Sequence, residues 1–125
     1  SLVADARLLL GVNSPVELAQ AEALLGERIK TSWMLAGTTM VDPASTSVEA
    51  GVTLGPGVVI RPFTSLTGAT SVGAGSVVGP STTLVDAHIG EGCVLPHCYV
   101  RSTSLNDGAH LRPFTVLDGS TEVPS

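Results

Sequence analysis

The sequence predicts a mainly β protein, a parallel β-helix built from short strands and preceded by one α-helix. Three observations predict this fold class. A branched aliphatic residue recurs nearly every six residues from Val48 to Val123. The residue two positions before each of these aliphatic residues is small or β-branched, and Gly, Pro, Asn and Asp cluster between the repeats. An apolar pattern of helical period precedes the first repeat, over residues 15–36.

Sequence signals mark both ends of the helix. Ser14 is a suitable N-cap, Pro15 fills the first helical position and Glu17 completes a capping box. Gly37 suits the position just past the C-terminus. The apolar stripe, which we expect to pack on another subunit or another domain, consists of Leu18, Ala21, Leu25, Ile29 and Trp33.

The six-residue spacing fits neither a helix face, with its period near 3.6, nor a half-buried strand, with its period of two. A coil with three flat sides explains the spacing: each side is a short strand, each corner is a turn, and each aliphatic side chain fills the interior. Residues about 18 apart then stack at the ~4.8 Å spacing of neighbouring strands. The predicted columns are Leu54, Val72, Ile89, Leu105 and Val123, and Ile60, Val78, Leu95 and Leu111.

Composition restricts the function classes. The chain has 125 residues, enough for one domain, and is 43% hydrophobic but only 3% aromatic, so its core is aliphatic. Its net charge of −5 and its lack of a basic run argue against nucleic acid or an anionic membrane surface as partner. Without a signal peptide or an apolar run of roughly 18 residues, we expect a cytoplasmic protein with no membrane span.

Two stretches resemble one known family, the bacterial bifunctional N-acetylglucosamine-1-phosphate uridyltransferase/glucosamine-1-phosphate acetyltransferase. LLGVNSPVELAQAEALLGERI, residues 9–29, resembles the junction between the nucleotidyltransferase domain and a linker helix. MLAGTTMVDPASTSVEAGVTLGPGVVI, residues 34–60, resembles the entry into that family's left-handed β-helix. The resemblance implies a left-handed coil and a homotrimer. It divides the chain into the tail of a nucleotidyltransferase domain (1–13), the linker helix (14–37) and about four coils that stop before the acetyl-CoA-binding part (38–125).

The resemblance also implies what each site residue would do. Asn13 matches a Mg²⁺ ligand of the uridyltransferase site, but one asparagine without its partner carboxylate does not hold a useful Mg²⁺. In the stretch RPFTVLDGS, Asp118 stands where the family has an arginine of the sugar-phosphate site, and Arg112 is left as a candidate phosphate contact. We assign no catalytic residue. The full-length enzyme of this family uses acetyl-CoA and Mg²⁺ to make UDP-N-acetylglucosamine for the bacterial cell wall.

For this chain the sequence therefore predicts a non-catalytic trimerisation scaffold, either an excised middle portion of the bifunctional enzyme or a degenerate relative. One alternative is a stand-alone hexapeptide-repeat acyltransferase, for which His110 is the candidate histidine. Another alternative is a non-enzymatic scaffold that binds a partner protein through the helix. Arg61 and Arg112 each begin an R-P-F triplet, which we interpret as a repeated corner structure.

Metal binding has little support in the sequence. Cys93 and Cys98 form a single C-x4-C without a second ligand pair, and both hold the inward small position, so we expect buried thiols on different sides and no disulfide. The γ-class carbonic anhydrases, another trimeric β-helix family, hold zinc with three histidines. His88, His97 and His110 are 9 and 13 residues apart, which places them on different sides or levels of the coil.

Overall fold

A computed structural model describes residues 14–119 of the chain. This part contains one α-helix, one 3₁₀ turn and thirteen strands of two or three residues. In order they are α1 (Pro15–Leu35), β1 (Thr39–Met40), the 3₁₀ turn (Pro43–Ser45), β2 (Ser47–Val48), β3 (Thr53–Leu54), β4 (Val59–Ile60), β5 (Ser65–Thr67), β6 (Ser71–Val72), β7 (Val77–Val78), β8 (Thr83–Val85), β9 (His88–Ile89), β10 (Val94–Leu95), β11 (Tyr99–Arg101), β12 (Ser104–Leu105) and β13 (Val116–Asp118).

Both ends of α1 form as the sequence predicts. The Ser14 hydroxyl accepts a hydrogen bond from the Glu17 backbone N–H at 3.2 Å. Gly37, at φ 109°, ends the helix in the left-handed region, and the Thr38 N–H donates to the Trp33 carbonyl at 3.0 Å. These bonds satisfy backbone groups that a helix terminus otherwise leaves unpaired. The helix ends one residue earlier than predicted.

The strands form three parallel sheets that the chain visits in turn. Side A contains β1, β4, β7 and β10; side B contains β2, β5, β8, β11 and β13; side C contains β3, β6, β9 and β12. Thr53 pairs with Ser71, 18 residues on, and Ser71 pairs with His88, 17 residues on, because one six-residue step has shortened to five. The predicted fold class, a left-handed parallel β-helix preceded by one α-helix, is confirmed. We name its corners A/B, B/C and C/A after the sides they join.

The core consists of the predicted aliphatic columns. Leu54 pairs with Val72, Val72 with Ile89 and Ile89 with Leu105, and the Ile60 column forms in the same way. Burial is complete in the middle rungs and partial at Leu105, near the last described rung. Val123 lies outside the described residues. The side chains with no exposed surface include Val58, Ile60, Leu66, Val78, Leu84, Leu95 and Val100.

The small residues at the inward positions also form hydrogen bonds. The Thr64 hydroxyl donates to the Arg61 carbonyl at 2.8 Å, and the Thr82 hydroxyl donates to the Leu95 carbonyl at 2.6 Å. Both threonines are buried, so these bonds satisfy hydroxyls that water does not reach. Within residues 14–119, every buried side-chain nitrogen and oxygen has a hydrogen-bond partner.

The helix packs on the first coil of its own chain. Ile29 and Trp33 contact the buried core, and Lys30, only 6% exposed, donates from its Nζ to the Pro43 carbonyl at 2.7 Å. Lys30 also pairs with Glu27 at 2.8 Å, so its ammonium is satisfied within the fold. The expectation that the whole stripe packs on another subunit or domain is therefore wrong for its C-terminal half. The first coil has no preceding rung to pair with, and α1 lies against its strand β2.

Replacing Gly26 with alanine is expected to stabilise the protein by about 0.5–1 kcal/mol, because glycine is a poor helix former. Gly26 lies within α1, and a Cβ added there meets no atom within 4 Å. Urea denaturation monitored by circular dichroism measures the change. Gly37→Ala is the matched control: it also meets no atom, but φ is 109°, so it should destabilise. A loss of stability in Gly26→Ala would contradict the prediction.

Candidate functional site

The structure does not gather the sequence-predicted phosphate-site residues at one place. Asn13 lies outside the described residues. Arg112 is exposed at the A/B corner, where its carbonyl accepts a hydrogen bond from the Thr115 hydroxyl at 2.5 Å. Asp118 ends β13 at the far end of side B, paired in register with Arg101. Arg112 lies in the turn before β13, Asp118 is the last residue of β13, and a single solvated arginine is a weak phosphate contact.

The three histidines lie in three different parts of the coil. His88 is on side C, His97 is at the A/B corner and His110 bridges to Val94 on side A. The His97 ring stacks near Phe114, with ring centroids 5.5 Å apart. Among residues 14–119, no three His, Cys, Asp or Glu side chains are placed to hold one metal ion. The described residues thus do not supply the three or more protein ligands that a zinc site uses.

One polar pair was missed by sequence reasoning. The Ser71 hydroxyl lies 3.0 Å from His88 Nδ1, across neighbouring strands of side C. The signal was available, since the predicted column places Val72 beside Ile89 and hence Ser71 beside His88. A serine with a histidine is the first part of a nucleophile and base pair, but catalysis also needs a group that orients the imidazole and donors for an oxyanion. Their column neighbours on this flat side are Thr53 and Ser104, so no carboxylate stands beside the imidazole in this column.

Both cysteines are free and buried, as predicted, and they precede strands on different sides. Cys93 Sγ donates to the Asn106 carbonyl at 3.3 Å, and Cys98 Sγ donates to the Pro96 carbonyl at 2.9 Å. Burial raises the pKa of the Cys98 thiol, and a hydrogen bond from the Thr115 backbone partly offsets that effect. The thiol is therefore a poor nucleophile and a small core residue.

A recess of about 650 Å³ lies between α1 and the first coil. Its size is within the range of small-molecule sites. Its lining includes Ala23 and Gly26 from the helix together with three carboxylates, those of Glu22, Glu27 and Glu49. Glu27 pairs with Lys30, and Glu49 accepts a hydrogen bond from a backbone N–H at 2.8 Å, so these groups serve the fold. The lining has three carboxylates against one ammonium group, that of Lys30, and this excess of negative charge disfavours a phosphate-rich ligand such as acetyl-CoA.

Comparison with known proteins identifies relatives over nearly the whole chain. No protein-family model matches it. The bifunctional protein GlmU of Mycobacterium bovis is 44% identical over 121 residues, which are 97% of this chain and 24% of that protein. GlmU of Desulfitobacterium hafniense is 42% identical over 125 residues, which cover 95% of this chain and 28% of that protein. This chain is a relative of one segment of GlmU. The resemblance recognised in the sequence is thereby confirmed over that segment.

The GlmU match covers the helix and the coils together. A third relative, GlmU of Mycolicibacterium vanbaalenii, is 40% identical over 119 residues, again 95% of this chain. The chain spans about a quarter of the length of these GlmU proteins. Within residues 14–119, no helix has both the length and the apolar character needed to cross a bilayer.

The Cys98 thiol predicts a loss of stability at alkaline pH. Its pKa is raised in the folded protein and is about 8.5 in an unfolded chain, so the unfolded state loses the proton first. The contribution of the neutral Cys98 thiol to the free energy of unfolding is fully present below about pH 8.5. It is lost as the pH rises through the folded pKa, and the free energy of unfolding then falls by at most ~1.4 kcal/mol per pH unit. Cys98→Thr removes this contribution and suits the column, because Thr82 and Thr115 hold the same position on the adjacent rungs.

Urea unfolding at pH 7, 8.5 and 10 measures this contribution. The free energy of unfolding should fall more steeply with pH in the native sequence than in Cys98→Thr. Thr82→Ser serves as the matched control, because it changes a buried residue of the same column without removing a titratable group, and its pH dependence should follow the native sequence. If the free energy of unfolding fell equally steeply with pH in the native chain and in Cys98→Thr, the role given to Cys98 would be contradicted.

Proposed function

We propose that this chain is a trimerising part of a GlmU-type enzyme of UDP-N-acetylglucosamine biosynthesis. The parent reactions are acetyl transfer from acetyl-CoA to glucosamine 1-phosphate and uridylyl transfer from UTP to N-acetylglucosamine 1-phosphate. The observation that carries the proposal is the match to GlmU over 95–97% of a chain whose described residues form one helix-capped solenoid. Neither nucleic acid nor a membrane is included as a partner, in keeping with the net charge of −5.

The proposed role of this chain by itself is structural. Its candidate chemical groups are dispersed: His110 lies on side A, His88 lies on side C, and Arg112 lies in the turn before the strand that Asp118 ends. A general base must lie within hydrogen-bond reach of the proton that it removes, and a phosphate site needs converging donors. Dispersed groups of this kind support a scaffold rather than a compact acetyltransferase.

A homotrimer is the proposed assembly. Large apolar side chains remain on the described surface, including Phe114 at 83% and Val116 at 68% exposure. Such surface favours association with another protein or another copy. The alternative of a scaffold that binds a partner through α1 has less support, because Ile29 and Trp33 already pack on the coil.

Release of free CoA tests the catalytic part of the proposal. The purified chain is given acetyl-CoA and glucosamine 1-phosphate, with a full-length GlmU as positive control. We expect no release above the protein-free background. Release that His110→Ala abolishes and His88→Ala leaves unchanged would instead support the stand-alone acyltransferase.

Sedimentation equilibrium tests the scaffold part of the proposal. The expected mass is three times that of the 12.7 kDa chain, over a range of micromolar concentrations. A mass of one chain at every concentration would overturn the scaffold role. The two measurements are independent, so an active trimer or an inactive monomer would each contradict one part.

A further inference from the structure

One face of α1 is left unused by the packing of the helix on its own coil. Ile29 and Trp33 contact the core, and a recess of about 650 Å³ lies between the helix and the first coil. Ala19, Ala23 and Gly26 line this recess from the helix. The apolar stripe predicted from the sequence does not contain these three residues, so the recess presents a second face of α1.

The residues on this face have the spacing of a helix-pairing surface. Alternating steps of three and four residues separate Val16, Ala19, Ala23, Gly26 and Lys30. That is the a and d spacing along which two helices pack side by side. Lys30 is bonded to the first coil and closes the row at one end. The other four residues, which we call the α1 seam, remain open: Val16 is 68% exposed, both alanines are exposed and Gly26 is half-buried.

Gly26 has no role within the described part of the fold. It lies inside α1, where glycine costs about 0.5–1 kcal/mol relative to alanine, and a Cβ added there meets no atom within 4 Å. No turn and no close contact within residues 14–119 therefore requires a glycine at this position. Small residues on a helix surface let a second helix approach closely, and the α1 seam has the shape for such an approach.

Negative charge flanks the α1 seam. Glu22 and Glu27 stand at the g and e positions of the same heptad pattern, and Glu49 lines the recess from the first coil. Glu27 pairs with Lys30, whereas within residues 14–119 neither of the other two carboxylates forms a salt bridge. Residues at e and g positions select a partner helix by its charge. The partner favoured here therefore carries lysine or arginine.

We infer that the α1 seam binds a basic amphipathic helix of a partner protein. Large apolar side chains of that helix fill the space above the seam, and its lysine or arginine side chains lie against Glu22 and Glu49. A second copy of α1 is a poor occupant, because the carboxylates that flank its own seam would repel those of the first. The inference goes beyond the trimeric scaffold proposed above and does not depend on it.

A designed peptide probes the α1 seam. It has three heptads with leucine at the a and d positions and lysine at the e and g positions, and the lysines prevent the peptide from pairing with itself. Fluorescence anisotropy of the labelled peptide, titrated with the full chain, measures binding. We expect saturable binding that weakens as salt is added. A peptide with glutamate at the e and g positions should bind at least about tenfold more weakly.

Gly26→Gln blocks the α1 seam without harming the fold. Glutamine is a better helix former than glycine and its side chain extends into the recess, so this variant should unfold at a higher urea concentration than the native chain. Its affinity for the lysine peptide should fall at least about tenfold. Ser32→Gln is the matched control, because Ser32 is exposed on the opposite side of α1, and its affinity should equal that of the native chain. Glu22→Lys should weaken binding of the lysine peptide and strengthen binding of the glutamate peptide.

The outcomes separate the α1 seam from the scaffold role. If the lysine peptide does not bind, or binds Gly26→Gln as tightly as the native chain, the inference is overturned whether the native chain is a trimer or a monomer. Equal binding of the lysine and glutamate peptides would overturn the choice of a basic partner. A lower mass of Gly26→Gln in sedimentation equilibrium would show that a second copy occupies the seam instead. The scaffold proposal depends only on the mass of the native chain.

Discussion

Replacing Leu84 with alanine is expected to lower the free energy of unfolding by about 2–5 kcal/mol. Leu84 has no exposed surface and stands in the middle of the side B column, paired with Leu66 on one rung and Val100 on the other. Truncation removes buried apolar area and leaves a cavity. The cavity closes poorly, because parallel hydrogen bonds to both neighbouring strands fix the backbone of β8.

Leu117→Ala is the matched control for this prediction. Leu117 belongs to the same column but is only half-buried on the last described rung, so its truncation should cost less than half as much. Urea denaturation measures both variants at one fixed chain concentration, because association with other copies would shift apparent stability. If both variants lost the same free energy of unfolding, burial in the middle of the column would not determine how much a truncation destabilises the protein.

The interior of the coil could be predicted from the sequence because its geometry is repetitive. Once Val72 and Ile89 are assigned to one column, the register of every neighbouring strand follows, including the shortened steps. The ends of α1 were predictable for a similar reason, since capping depends on residues close in sequence. Capping residues thus determine the helix ends, and the regular period determines the strand register, without knowledge of the rest of the fold.

The position of α1 and the conformation of the A/B corner were less predictable. The bond from Lys30 to the Pro43 carbonyl depends on how the helix turns back over the coil, and no periodicity encodes that turn. At Phe63 and Phe114 the chain uses a non-glycine residue at positive φ, against the local preference. The R-P-F triplets indicated a repeated corner but not its dihedral angles. The dispersion of the candidate site residues likewise became evident only with the coil in three dimensions.

Replacing Gly73 with alanine is expected to destabilise the protein by about 3 kcal/mol, at the upper end of overpacking effects. A Cβ added at Gly73 would lie 2.5 Å from the Gly90 carbonyl carbon and 2.6 Å from the Glu91 nitrogen. Both are backbone atoms of the next rung, so no side chain can move aside. Two rungs of the C/A corner would have to separate, and the strand hydrogen bonds on either side oppose that movement.

Gly75→Ala separates this steric effect from backbone conformation. Gly75 lies in the same corner at φ 70°, with no atom within 4 Å of an added Cβ, so alanine there meets only the conformational cost of roughly 1–2 kcal/mol. Glycine at a turn often serves to reach positive φ, but Gly73 is not among the residues with positive φ. Its requirement is close approach between rungs. Urea denaturation should therefore rank Gly73→Ala as the more harmful change, and the reverse order would restore the conformational explanation for both glycines.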